Sequence, residues 1–487
     1  MSEIIKDSRL SSMLKKFINK SDELRKKLPN LYYCGSRIVH YNNEKVFPAV
    51  FILRNNETNQ TKMFGHTACH SAWACPRCTA EVMAKKGVNI ACAIDALAKQ
   101  YQQFAFMTTF TLPHTKYMNC NETFQILLQT WRYFTREGQR KTKTKKYKLK
   151  LDIDEKHTKG RIAVGKKGEE RTYTINIYNP YAQFRKSFNI THHVKVYEFV
   201  WSEENGWHPH IHMLFWTKKE AFKTIIADEW EKRLTDHWWK CLHKAASAVY
   251  KKLYPNEPEQ NKNRVEELLA DWKKYPKTGH RNVFFSKDEH GALKPTSSSL
   301  YISGWTGDYE LTNQKLKTGE NLKEKRGKGT RITPFQMLEL ANQETDIEQK
   351  NRWLHLFTEY AITTYKHRRC EFSSRSGITQ IINNWKKTVT YVESYKKKFM
   401  DKAEKWEMAY WFDEKQWLLI SWLEITTNNH IISEILTRAP NKQKLEEYLI
   451  NLEIPLTTKK HPQEKLITDI FNDVFNRKTE QATNKTA

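Results

Sequence analysis

The sequence predicts an α+β protein built on a central antiparallel sheet, and three observations carry that prediction. Two apolar, β-rich runs, VKVYEFVW (194–201) and HPHIHMLFW (208–216), flank Asn205-Gly206, a pair that favours tight hairpin turns. A third such run, FAFMTTFTL from Phe104 to Leu112, follows a stretch rich in helix formers, residues 81–103. Helical patterns then occupy residues 221–253, 265–272 and most of 334–475.

In chain order, residues 1 to about 33 read as a basic, partly helical leader, and residues 46–53 as a short strand ahead of a cysteine cluster. Charges interrupt the apolar positions of MSEIIKDSRLSSMLKKF, unlike a secretory signal, so a cytoplasmic protein is expected. The stretch from Arg136 to about Arg171 is the least core-like, with six lysines between Lys141 and Lys150, and lies in a basic insertion of about 136–185 that reads as solvated chain between sheet elements. Three parts follow: an N-terminal segment with the cysteines (1–103), a central sheet domain (104–320) and a helical C-terminal region (321–487).

Charge narrows the function classes. Against 55 Asp and Glu stand 82 Lys and Arg, a formal net charge of +27 in 487 residues. Such an excess calls for a polyanionic partner, because each phosphate neutralised by Lys or Arg releases condensed counterions. No apolar run approaches the length of a membrane span, so nucleic acid is expected in place of a lipid surface. The lysine-rich insertion has a rival reading as a DNA-gripping arm, and the 16 tryptophans include several beside lysines that suit stacking on unpaired bases. No GxxxxGK[ST] phosphate loop is present, so no ATP hydrolysis is expected.

The sharpest motif is Trp207-His208-Pro209-His210-Ile211-His212-Met213-Leu214. On a strand, successive side chains alternate, so His208, His210 and His212 share one face while Ile211 and Met213 enter the apolar one. Three imidazoles on one face form a ligand array for a divalent ion, and phosphodiester cleavage needs such a Lewis acid. His210 and His212 do not fill a coordination shell. The third ligand is either Glu198 on the preceding strand or His208, and a two-residue Asn205-Gly206 loop would turn Glu198 to the wrong face unless an odd-length loop or bulge corrected it.

Cys69, Cys75 and Cys78 (CHSAWACPRC) form a second constellation. The CPxC turn offers two thiolates to one ion and Cys69 a third, which favours structural zinc over a redox pair. His66, His70, Cys34 and Cys92 are all in reach as the fourth ligand.

The chain resembles the replication initiators and relaxases of the histidine-hydrophobe-histidine (HUH) endonuclease superfamily, particularly the rolling-circle Rep proteins of bacterial plasmids. Phe106 to His114 (FMTTFTLPH) looks like their first motif, His210 and His212 within GWHPHIH match the second, and Leu300 to Thr312 (LYISGWTGDYELT) resembles the third. Arg331 to Leu338 and Glu359 to Gly377 resemble segments that follow, so the likeness covers roughly residues 65–380. It implies an RRM-like nuclease domain over 104–320, with Tyr301 as nucleophile, Mg²⁺ or Mn²⁺ at the histidines, a zinc segment at the cysteines, origin DNA as substrate, and a host helicase and polymerase as partners. The chain departs from the family in carrying Gly304 where a lysine often follows the tyrosine. Transposases and conjugative relaxases use the same chemistry, and a zinc-containing DNA-binding protein without catalysis is the alternative outside enzymes.

Overall fold

The computed structural model describes residues 3–36, 49–55, 61–113, 116–136, 141–148, 170–177, 179–270, 282–296, 331–373, 377–388, 406–427 and 430–456. Helices α1 (Glu3–Asn19), α2 (Asp22–Lys27) and α3 (Pro29–Tyr32) lead to strands β1 (Val50–Asn55) and β2 (Thr61–Phe64). Helix α4 (Pro76–Tyr101) opens with a proline at its first position, where a missing N–H costs nothing, and ends on Gln102 in the left-handed conformation. That turn delivers the chain directly into β3 (Gln103–Thr111). Then follow α5 (Cys120–Arg136), β4 (Lys141–Lys148), β5 (Glu170–Ile177), α6 (Pro180–Ser187), β6 (His193–Ser202) and β7 (Gly206–Lys218). Helices α7 (Lys219–Thr224), α8 (Ala227–Leu253) and α9 (Pro258–Leu268) precede β8 (Val283–Phe285). The last third holds α10 (Pro334–Gln343), α11 (Ile347–Thr364), β9 (Cys370–Phe372), α12 (Ile378–Trp385), β10 (Trp406–Phe412), α13 (Glu414–Thr426), α14 (Ile431–Arg438) and α15 (Lys442–Asn451).

Five strands form the central antiparallel sheet in the order β8-β3-β7-β6-β9. Strand alternation gives it two faces of different character. On one, Phe106, Phe110, Phe199, Ile211, Met213 and Phe215 are sealed in the main core, which α5 and α8 complete. Each such side chain contributes roughly 1.5–3 kcal/mol by leaving water. On the other, Ala105, Val194, Val196, Leu214 and Trp216 pack under Ile90, Ala93 and Leu97 of α4 and Ile378 and Ile382 of α12. This second core covers one end of that face, and the histidines occupy the other.

Strand pairing crosses the boundaries expected at residues 103 and 320. β1 lies between β10 and β2, with Val50 opposite Phe412 and Phe51 opposite Phe64, so an N-terminal strand and a C-terminal strand share one antiparallel sheet. Its core joins Val50 and Ile52 to Trp417, Ile420, Ile431 and Ile435. β9 likewise comes from the stretch expected to be helical yet adds to the central sheet beside β6. Both C-terminal strands are short and aromatic-bearing, CEF and WEMAYWF, and a helical-period reading passes over them. The lysine-rich stretch contains an antiparallel ribbon, Lys141 opposite Ile177 through Lys148 opposite Glu170. Its Thr and Ile residues favour extended backbone despite the charge. Among the described residues no helix is long and apolar enough to cross a membrane.

Candidate functional site

The histidine row is set by the β6–β7 turn. Three residues, Glu203-Glu204-Asn205, close the hairpin between Ser202 and Gly206, and Gly206 takes a left-handed φ of 68°, as a bulged three-residue loop requires. A two-residue loop would have paired Trp201 with His210; the odd loop pairs Trp201 with Trp207 and Glu198 with His210. Directly opposed residues share a face, so Glu198, His208, His210 and His212 stand together. From the other flank, β3 sets Thr109 opposite His212 and Thr111 opposite His210. Ile211 and Met213 are fully buried on the reverse side.

Both ring nitrogens of His212 are engaged. The Glu198 carboxylate accepts from Nε2 at 2.7 Å, and Nδ1 meets the Thr109 hydroxyl at 3.0 Å. In the neutral imidazole this fixes Nε2–H as donor and Nδ1 as acceptor. The His208 and His210 rings lie 4.2 Å apart between centroids, and His210 and His212 6.1 Å, with His210 buried and its neighbours half-buried. Ligand atoms of neighbouring positions in an octahedral Mg²⁺ or Mn²⁺ site sit about 3 Å apart at bond lengths of about 2.1 Å. Glu198 Oε2 and His212 Nε2 stand 2.7 Å apart across the Nε2 proton, so a divalent ion would bind this pair only by displacing that proton. Among the described residues the pair gains no third His, Cys, Asp or Glu donor within 4.8 Å of both. Tyr301, expected as nucleophile, and Gly304 lie outside the described residues.

The cysteines converge more tightly. Sulfurs of Cys34, Cys69, Cys75 and Cys78 all lie within 4.8 Å of one another, and Cys34 Sγ is 3.6 Å from both Cys75 Sγ and Cys78 Sγ. Four thiols in that compass can hold a tetrahedral structural ion such as zinc. The fourth ligand left open by the sequence is thus Cys34. His66 instead accepts from the Arg77 guanidinium at 3.1 Å, and Cys92 is buried in the core between α4 and the sheet.

Local backbone explains the convergence. Cys34 and Cys69 are each followed by a residue with positive φ, Gly35 at 75° and His70 at 49°, which folds each ligand back toward the centre. A side chain at Gly35 would collide with the Arg77 guanidinium. Cys75 caps α4 and Cys78 sits in its first turn, where unpaired N–H groups and the helix dipole favour thiolate charge. Hydrogen bonds from the neighbouring thiols, Cys69 foremost, pull the Cys34 thiol far below its ordinary value, while hydrogen bonding to Cys34 pushes Cys75 well above. Four thiolates in one buried pocket need a cation. Two basic groups stand by: Lys15, buried and donating to Ser36 Oγ at 3.1 Å, and Arg77. Burial, then the charge of Arg77, lowers the Lys15 ammonium from its usual range, and the Cys34 and Cys75 sulfurs oppose that shift. An M²⁺ ion with four thiolates carries two negative charges, and these two cations match them.

The Cys34 signal in the sequence was the Cys34-Gly35 pair, a ligand followed by the residue best suited to a left-handed turn. No family model matches the chain, and neither a curated protein nor a solved structure does.

Proposed function

We propose that the chain is a metal-dependent DNA endonuclease of the HUH type that nicks one strand of a replicon to start rolling-circle replication. One observation carries the reading: Glu198, His208, His210 and His212 share a single sheet face, with the Glu198 carboxylate bound to the His212 ring. The +27 charge supplies the affinity for DNA, since phosphate contacts dominate such binding. A further support lies in the chain around Tyr301: Thr296 bridges Ala105 of β3 and Ile332 bridges Trp201 of β6, so its flanking residues attach on either side of histidine-bearing β7.

In the proposed reaction the Tyr301 hydroxyl oxygen attacks phosphorus and the bond from phosphorus to the 3′ oxygen breaks. The products are a 5′-phosphotyrosine and a 3′-hydroxyl, the tyrosine losing one proton and the 3′ oxygen gaining one. His210 and His212, with Glu198 or His208, would hold Mg²⁺ or Mn²⁺, which when bound polarises the phosphate and offsets its growing charge. Glu198 also orients the His212 ring, and Thr109 fixes its second nitrogen. Extension of the 3′-hydroxyl falls to a host polymerase, and unwinding to a host helicase, since no ATP-binding loop is present.

The test is a denaturing gel of the protein with a 3′-labelled pool of single-stranded oligonucleotides and Mn²⁺. The expected outcome is a covalent band that Tyr301→Phe abolishes. DNA binding with no such band would favour a zinc-containing DNA-binding protein without catalysis. An adduct that forms without replicon initiation would move the reading to a transposase or relaxase.

A further inference from the structure

We infer that the cleft over the β9 edge of the central sheet binds single-stranded DNA next to the histidine row, with Arg368 and Lys86 on its phosphodiesters and Tyr365 and Phe372 against its bases. The inference deepens the nuclease reading and rests on it. The cleft encloses about 1070 Å³ between the 69–74 loop, the first half of α4 and the chain 365–372. That lies at or above the roughly 300–1,000 Å³ of small-molecule pockets, and a run of nucleotides fills it better than a compact metabolite.

Its charge is positive. Lys86, Arg368 and Arg369 stand against one carboxylate, Glu371, which Lys195 already holds at 2.8 Å. Arg369 is committed to the fold, donating to the Ala72 carbonyl at 3.3 Å and lying 5.5 Å over the Trp73 ring. Arg368 is exposed, Lys86 is half-buried 5.6 Å from the Phe372 centroid, and Tyr365 and Phe372 are half-buried rings. Basic groups interleaved with aromatic faces are the means by which proteins hold unpaired strands.

Register ties the cleft to the histidines. The β6–β9 ladder pairs Val196 with Cys370, and the Tyr197 N–H donates to the Arg369 carbonyl at 2.9 Å, extending it by one residue. Arg369 shares the side of Tyr197 and Trp73, and the next residue outward, Arg368, is exposed just past the end of the ladder, beyond Glu198 of β6. Across the sheet the row runs Thr111, His210, Glu198, and Arg368 lies past its β6 end, next to Arg369. A strand lying across the sheet thus passes from the histidines onto the guanidinium and into the cleft.

The experiment is fluorescence anisotropy of a labelled mixed-sequence single-stranded 20-mer, without added divalent metal, over a salt series. Lys86→Ala/Arg368→Ala should weaken binding at least tenfold and flatten the plot of log affinity against log salt by about 1.4, two phosphates at about 0.7 each for single strands. Arg368→Lys should keep most of the slope. Unchanged affinity and slope in a double variant that melts like the parent would overturn the cleft. Because the readout is binding alone, a missing Tyr301 adduct would sink the nuclease reading and leave this measurement standing.

Discussion

The cysteine centre and the histidine row are both candidate metal sites, and they are built in opposite ways. At the first, four sulfurs from two turns and a helix start converge within 4.8 Å, three of the four cysteines are buried, and two cations stand beside them. At the second, the side chains lie side by side on one sheet face, where the Glu198 carboxylate meets the His212 ring. A closed tetrahedral set has no position left for a substrate, whereas donors in a row do not by themselves complete a coordination shell. The two are joined by one element, α4, which begins at Cys75 and Cys78 and runs into β3, the strand of Thr109.

The largest effect that would break this contrast belongs to the cysteines. Structural zinc binds zinc-finger peptides with about 10–16 kcal/mol of apparent free energy, comparable with the entire stability of a domain, about 5–15 kcal/mol. Cys34→Ser or Cys75→Ser should therefore remove the metal and the cooperative melt together, read by atomic emission and circular dichroism. A folded Cys34→Ser protein that retained one zinc per chain would dismiss Cys34 as a ligand.

The histidines should behave in reverse. His210→Ala/His212→Ala should lower adduct formation more than a hundredfold, the scale seen when charge stabilisation at a reacting oxygen is lost. Zinc content should stay at the parent level, and stability should fall by only about 1–3 kcal/mol. Loss of zinc in that variant would merge the two sites into one.

Smaller still is the role of the carboxylate. Glu198→Gln keeps an oxygen that accepts from His212 Nε2 but removes the charge, and partners of this kind are worth about 10–100-fold in metal affinity or activity. A rightward shift of the Mn²⁺ dependence of nicking by that factor is expected. An unshifted curve would reduce Glu198 to a hydrogen-bond acceptor.

A last effect, on stability and not on nicking, concerns the start of β6. His193, at the start of β6, is held neutral chiefly by burial, its pKa lowered to about 4 from an ordinary 6.5. A folded-state value below the unfolded one contributes stability that is full above pH 6.5 and is lost as pH falls toward 4. Linkage puts the whole window on the order of 3 kcal/mol. His193→Phe, which keeps a ring near Phe215, should flatten urea stability between pH 6.5 and 4. An unchanged acid slope would locate the sensitivity elsewhere.

Much of this was legible in the residues themselves. Alternation alone separates His208, His210 and His212 from Ile211 and Met213, because the period of a strand is two whatever surrounds it. The run of α4 into β3 follows from local rules, helix formers over 81–103 and β-forming residues after them, although the helix begins earlier, at Pro76. The sequence also sets the charge and the cysteine triplet Cys69, Cys75 and Cys78.

What the tertiary structure decided are the matters that depend on distant segments or on one residue of loop length. Glu198 reaches the histidine face because the β6–β7 loop has three residues instead of two, and a shift of one residue flips every side chain of a strand. Cys34 becomes the fourth ligand through a left-handed Gly35 that brings it to a cluster 35 residues downstream, although His66, His70 and Cys92 all lie nearer in sequence. β1 finds β10 across some 350 residues, and β9 joins β6, because an unpaired strand edge takes whichever partner the packed cores bring beside it. Periodicity is a local property and survives in the sequence; adjacency is a property of the packed chain, and no local pattern encodes it.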